Sequence, residues 1–150
     1  MDLRTIQAEI EGLGGELAWR TKWGLGVSFA GTSLRDADLW ELTATLPWTV
    51  WLDLSDTTVT DAGLAILKSA VRLEALSVDG AQVTTNGLLM LRGLSKLVSI
   101  TVGDTAITSA QVLWLRRLGL RADVECHRRG PRCGWFPGFR PPSLAGAELE

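Results

Sequence analysis

A chain of 150 residues with 46% hydrophobic residues is long enough for one domain with a sizeable core, and this composition excludes a disordered chain. The net charge of −2 argues against a basic surface for nucleic acid, so a nucleic-acid partner is not expected. The sequence has neither an apolar run of about twenty residues nor a basic, apolar leader after Met1. We therefore expect no membrane contact and a cytoplasmic location.

The N-terminal part of the chain predicts one helix and two strands. The helix would use an apolar face and end at Gly14–Gly15. That face comprises Leu3, Ile6, Ile10 and Leu13. Strands at residues 16–20 and 25–30 would flank a turn at 21–24. Because an array of repeats exposes its first apolar layer, we interpret residues 1–26 as an N-terminal capping helix and strand. A separate functional domain is the alternative, but ~30 residues are too few for an independent core.

From Val27 onward a strand–turn–helix pattern recurs about every 24 residues. In the second copy, Leu52 and Leu54 alternate as in a half-buried strand, and Leu64 and Leu67 share a helix face. The equivalent strand positions are Val27, Leu52, Leu76, Ile100 and Val124. A threonine at the turn recurs as Thr32, Thr57 and Thr105, with Ala81 interrupting, and we expect its hydroxyl to bond the adjacent turn. Stacked copies would bury one continuous core.

The pattern at residues 52–67, Leu-x-Leu-x-x-Thr-x-Val-Thr-Asp-x-Gly-Leu-x-x-Leu, resembles the leucine-rich repeat of the short bacterial type. The resemblance covers residues 27–126, as about four units and a closing strand at 123–127. The fourth unit departs from it, with Ser109-Ala110-Gln111 in place of Asp-x-Gly. The resemblance implies an α/β fold, a short curved solenoid with a parallel sheet on its concave face and helices on its convex face. It implies no catalytic residue and no cofactor, and we expect no enzyme.

Strand residues that alternate with the buried ones would form the concave face. The candidate partner-binding residues there are Trp51, Asp53, Ser77, Asp79, Thr101 and Glu125. The family resemblance implies binding through this face, and an aromatic side chain such as Trp51 is a typical anchor. In the alternative interpretation, Trp51 packs against Trp48 or the N-terminal hairpin.

The helices provide a second candidate surface. Stacking would align Ile66, Met90 and Trp114 into an apolar stripe on the convex face. Three explanations remain open from the sequence: association with a partner or a second copy, coverage by the C-terminal segment, and burial in the core by rotation of the helices.

Residues 127–150 no longer follow the repeat and are rich in proline, arginine and aromatic residues, which indicates a C-terminal cap or tail. Cys126, His127 and Cys133 are one ligand short of a structural zinc site, so we predict no metal and a core position for Cys126. A disulfide between the two cysteines would require an oxidising compartment. The arginine cluster at 128–132 could contact nucleic acid or an acidic protein surface, or simply be solvated.

The sequence thus predicts a non-enzymatic protein-interaction module that binds an unidentified protein partner through the concave face. The alternative is a structural or assembly subunit, a homo-oligomer formed through the convex stripe. A third hypothesis is an enzyme accessory that docks by its arginine-rich tail.

Overall fold

Helices and strands alternate along residues 3–125, the part of the chain that this computed structural model describes. The helices are α1 (Leu3–Gly12), α2 (Asp36–Glu41), α3 (Asp61–Ile66), α4 (Thr85–Met90) and α5 (Ser109–Arg117). The strands are β1 (Glu16–Thr21), β2 (Gly24–Ser28), β3 (Thr49–Asp53), β4 (Ala75–Ser77), β5 (Ser99–Thr101) and β6 (Asp123–Glu125). Short 3-10 turns lie at Leu42–Ala44, Leu46–Trp48, Leu67–Ser69 and Leu91–Gly93.

The strands form a single open sheet in the order β1-β2-β3-β4-β5-β6. The pairing of β1 with β2 is antiparallel, and the four following pairings are parallel. The predicted α/β class with a mostly parallel sheet is therefore confirmed. Leu52 pairs with Leu76, which pairs with Ile100, which in turn pairs with Val124, so the sequence period sets the register of the sheet.

The elements predicted for the N-terminal part are confirmed with small shifts of their ends. Ile6 and Ile10 of α1 are buried and belong to the same core cluster as the strand and helix residues of the later units. The antiparallel hairpin of β1 and β2 adds an edge to the sheet. The capping role of residues 1–26 stays a prediction. The segment 127–150, with Cys126 before it, lies outside the described residues, and so do the predicted end of β6, the metal and disulfide interpretations and the arginine cluster.

One continuous core lies between the sheet and the helices. Each unit contributes residues of its strand segment, its turn and its helix, and those of the strand and the helix follow the predicted spacing. The side chains of Leu54, Val78, Leu67, Leu91 and Leu115 are completely buried. Burial of apolar area at about 25 cal/mol per Å² makes this layer the main source of stability.

Neighbouring units are joined by a carboxylate clamp at the start of the helices. The Asp36 carboxylate accepts hydrogen bonds from the Thr60 amide at 2.8 Å and the Thr60 hydroxyl at 2.6 Å. Asp61 does the same for Thr84, at 2.7 Å and 2.5 Å. Each threonine also caps its own helix, since the Thr60 hydroxyl accepts from the Ala62 amide. In the second unit, Thr60 thus caps its own helix and Asp61 holds the next unit.

The glycine at the third position of α3 and of α4 follows from the same clamp. A Cβ on Gly63 would stand 2.5 Å from Oδ1 of Asp36, and a Cβ on Gly87 would collide with Oδ1 of Asp61. Glycine at this helix position therefore makes room for the carboxylate of the preceding unit. Glycine is suited to this position by its small size and not by its backbone freedom, because neither glycine has a positive φ.

The departure of the fourth unit from the pattern has the same explanation. The preceding helix begins with Thr85 instead of an aspartate, so no carboxylate needs the space that a glycine would leave. Gln111 occupies that position, and its Oε1 accepts a hydrogen bond from the Thr108 amide at 2.8 Å. The resulting capping box satisfies Thr108 within its own unit.

The turns after the strands differ from the expectation in one detail. The hydroxyls of Thr57 and Thr105 donate to carbonyls three residues earlier in their own turns, at 2.7 Å and 2.8 Å, rather than to the adjacent turn. Adjacent turns are connected by backbone hydrogen bonds instead, such as Asp56 N–H to the Asp79 carbonyl. The predicted threonine position is therefore structural, but it stabilises the bend within each unit.

Candidate interaction surfaces

The strand face, which we define as the side of the sheet away from the core, carries the first set of candidate residues in two aligned rows. Trp51 pairs with Ala75, and Ala75 pairs with Ser99. In the second row Asp53, Ser77, Thr101 and Glu125 follow one another across four strands. The expected alignment of these positions is therefore confirmed, whereas their role in binding stays a prediction.

Burial of this face differs from the expected open surface. Trp51, Asp53 and Ser77 are only 6%, 3% and 3% exposed, and Thr101 is fully buried. Asp79, half-buried at the strand's carboxyl end, accepts a hydrogen bond from the Gly103 amide. Alternation along a strand determines the side of the sheet on which a side chain lies, and it carries no information about what covers that side.

The second row is a polar ladder, and Asp53 is a buried acid within it. Oδ1 of Asp53 accepts from the Ser55 amide at 2.9 Å, and the hydroxyls of Ser55 and Ser77 lie 2.8 Å apart. Burial raises the pKa of the Asp53 carboxyl, the hydrogen bonds from Ser55 oppose this shift, and the charges of Asp56 and Glu16 add to it. The Oγ1 atom of Thr101 has no hydrogen-bond partner within the described residues.

Stability should therefore depend on the ionisation of Asp53. Its pKa is higher in the folded chain than in the unfolded chain, where it is about 3.9, so its stabilising contribution is complete below the unfolded value and is lost as the pH rises through the folded value. Asp53→Asn keeps the acceptor for Ser55 and removes the charge. We expect this variant to have a higher free energy of unfolding than the parent at pH 7 and no such advantage at about pH 3.

Urea denaturation between those two pH values measures the difference. Glu11→Gln, which removes an exposed carboxylate on α1, outside the helix surface of the later units, is the matched control and should not raise the free energy of unfolding at pH 7. An Asp53→Asn variant that is less stable than the parent at pH 7 would contradict the proposed penalty for the buried charge.

The helix face, which we define as the outer surface of α2 to α5, exposes large apolar side chains. Trp40 is 65% exposed, Leu113 63%, Trp114 46% and Met90 38%. Met90 and Trp114 thus lie at the surface as the predicted stripe requires. Ile66 does not, because only 9% of it is exposed, and it belongs to the core.

A groove between α2 and α3 explains the position of Ile66. Trp40, Ala62, Ala65 and Ile66 line this groove, with the indole of Trp40 at its edge. The small side chains of Ala62 and Ala65 leave Ile66 at the bottom, whereas the position equivalent to Ala65 carries Leu89 in α4 and Leu113 in α5. Sequence reasoning missed Trp40, although it shares a repeat position with Ala65, Leu89 and Leu113.

A third surface, the tryptophan–arginine edge, lies where the parallel strands begin. It consists of Lys22, Trp23, Trp48, Arg72 and Lys96. Trp23 and Trp48 are 50% and 48% exposed. Arg72 Cζ stands 4.8 Å from the centre of the Trp48 ring, and Arg72 Nη1 donates to the Trp23 carbonyl at 3.3 Å. The sequence carried a signal for this edge, because Trp23, Trp48, Arg72 and Lys96 recur at intervals of one repeat.

Comparison of the sequence with protein-family models and with curated proteins finds no match. None of the helices within residues 3–125 is long and apolar enough to cross a membrane.

Proposed function

We propose that the chain is a short leucine-rich-repeat solenoid that acts as a non-enzymatic protein-interaction module, and that its partner on the helix face is a second copy of the same chain. The observation that carries this proposal is the exposure of Leu113 and Trp114 side by side on α5. Contiguous exposed apolar side chains of this size are typical of contact surfaces. The 24-residue register of the strands supports the solenoid.

The exposed row continues beyond α5. Met90 on α4 and Trp40 on α2 extend the apolar surface across the units, and tryptophan is among the residues that contribute most to binding at interfaces. On the strand face, by contrast, the aromatic residue Trp51 is buried, so it would have to become accessible before it could anchor a partner. The helix face therefore needs no rearrangement to make a contact.

The charges beside this apolar row are complementary between its two ends. On the helix face, α2 carries exposed Glu41, whereas the later units carry exposed Arg92, Arg116 and Arg117. In a two-fold symmetric pair with antiparallel solenoids, the acidic end of one copy would face the basic end of the other. Two-fold dimers are the commonest oligomers, and complementary charges determine which orientation forms.

The oligomeric state tests this proposal. We expect a dimer by analytical ultracentrifugation at about 100 µM chain, and a monomer for Trp114→Asp, because a charge buried in the contact has to be desolvated. Trp23→Asp changes an equally exposed tryptophan outside the helix face and should leave the dimer intact. A monomeric parent would overturn the proposal.

A charge exchange tests the antiparallel arrangement itself. Glu41→Lys and Arg117→Glu should each weaken the dimer, by about tenfold in dissociation constant, and the double variant should restore most of the loss. Simple addition of the two effects would show that these residues do not face each other.

A further inference from the structure

The tryptophan–arginine edge holds a guanidinium group in a fixed position. The Arg72 side chain stacks on the Trp48 ring and donates one hydrogen bond to the Trp23 carbonyl. These two contacts come from different parts of the chain, the hairpin turn and the loop before β3. Within residues 3–125 the other N–H donors of the guanidinium form no hydrogen bond. An arginine that is held in this way loses little entropy when it binds an anion.

The local backbone is built to bring these groups together. A Cβ on Gly24 would lie 2.9 Å from the Trp48 carbonyl, so only glycine allows the hairpin turn to approach this loop so closely. Leu25 pairs with Thr49, and the register shifts at the next residue, where Gly26 pairs with Trp51. The hairpin therefore presents Trp23 next to Trp48 at the start of the strands.

Positive charge is concentrated at this edge. Lys22 Nζ stands 5.0 Å from the centre of the Trp23 ring, and exposed Lys96 occupies the position equivalent to Arg72 in the next unit. Within residues 3–125 no carboxylate forms an ion pair with Arg72 or Lys96. Of the nearby acids, Glu74 is buried and Asp123 is hydrogen-bonded to Arg116.

The carboxyl ends of the parallel strands, at the other end of the strands from the tryptophan–arginine edge, are followed by acidic residues. Asp56, Asp79 and Asp104 follow the carboxyl ends of β3, β4 and β5. Three of the 15 Lys and Arg residues, Lys22, Arg72 and Lys96, thus lie at the strand starts, away from these aspartates. This separation favours an anionic ligand that approaches from one direction.

We propose that the tryptophan–arginine edge binds an extended acidic segment of a protein, in which aspartate or glutamate residues alternate with at least one aromatic or apolar residue. Carboxylates would pair with Arg72, Lys96 and Lys22, and an apolar side chain would pack on the open part of the indoles. Neighbouring strands lie about 4.8 Å apart and side chains on one side of an extended peptide repeat every ~7 Å, so about five peptide residues cross the edge.

Single-stranded nucleic acid fits this edge less well. Its bases would need the ring faces of the tryptophans, and Arg72 and Lys22 already occupy one face of Trp48 and Trp23. A carboxylate, in contrast, needs the N–H donors of those same cations. This surface is separate from the helix face, so Trp114→Asp should leave binding at the edge unchanged.

The probe is a peptide of seven residues, Glu-Asp-Phe-Glu-Asp-Phe-Glu, acetylated at its N-terminus and amidated at its C-terminus. Its binding to the full chain is measured by tryptophan fluorescence and by calorimetry. We expect Arg72→Gln to weaken peptide binding about tenfold and Lys96→Gln to weaken it about threefold. Arg92→Gln removes an exposed cation on the helix face and is the control, with binding unchanged. Lys96 has an exposed side chain, so its replacement keeps the test valid if Arg72→Gln is unstable in thermal denaturation.

Three results would overturn the proposal. The peptide does not bind at millimolar concentration, or Arg92→Gln weakens binding as much as Lys96→Gln does, or an oligothymidylate of eight nucleotides binds more tightly than the peptide and depends on Arg72. A peptide with lysine in place of the acids serves as the charge control and should not bind.

Discussion

Leu76→Ala is expected to lower the free energy of unfolding by about 3–5 kcal/mol, the largest effect of any single truncation that we predict. Leu76 lies on β4 in the middle of the sheet and is completely buried. Its neighbours on both sides are core residues, Leu52 and Ile100, and the backbone pairing prevents them from closing the cavity. Chemical denaturation monitored by circular dichroism measures the loss.

The same substitution at an exposed leucine is the control. Leu113→Ala removes the same atoms from a side chain that is 63% exposed and should change the free energy of unfolding by less than about 0.5 kcal/mol. Equal losses at both positions would mean that α5 packs differently from the arrangement described. Any effect of Leu113→Ala on self-association is then measured separately, on a chain of normal stability.

Gly87→Ala is expected to destabilise the chain by about 1–3 kcal/mol, although alanine is the better helix former by roughly 1 kcal/mol. The new methyl group would collide with Oδ1 of Asp61 and break the clamp with Thr84. The loss has a specific cause, and a double-mutant cycle can isolate it.

Asp61→Ala removes both the clamp and the steric conflict. We therefore expect Gly87→Ala to cost much less in the Asp61→Ala background than in the parent, because of the three nearest atoms to the new methyl group only Leu64 Cδ1, at 3.0 Å, remains. Gly93→Ala is the control, because a Cβ at Gly93 meets no atom within 4 Å. Strictly additive effects of Asp61→Ala and Gly87→Ala would contradict the steric origin of this glycine.

The architecture was largely predictable because each unit repeats the same apolar positions. Residues such as Leu52 and Leu64 show a period of two followed by a period near 3.6, and this change identifies the strand and the helix. The departure at Gln111 was also visible in the sequence. Its reason was not, because it depends on a carboxylate that is missing 26 residues earlier, at Thr85.

The candidate surfaces were less predictable, since exposure depends on neighbours that the repeat pattern does not specify. Asp53 and Ile66 were placed on the correct strand and helix, but both are buried. The position of Arg72 between Trp23 and Trp48 depends on the close approach of a hairpin that lies outside the repeats. Contacts between residues 49 positions apart are not determined by local periodicity.

The carboxylate clamp also specifies where the chain can be lengthened by duplication. A second copy of residues 52–75 inserted after the first would present its threonine to Asp61 and its glycine to the space beside that carboxylate. The clamp between units would be reproduced on both sides of the insertion. A copy placed after α4 would meet Thr85, which offers no carboxylate, and its threonine would lose this partner. Insertion of a further repeat after residue 75 and insertion after α4 are therefore not equivalent.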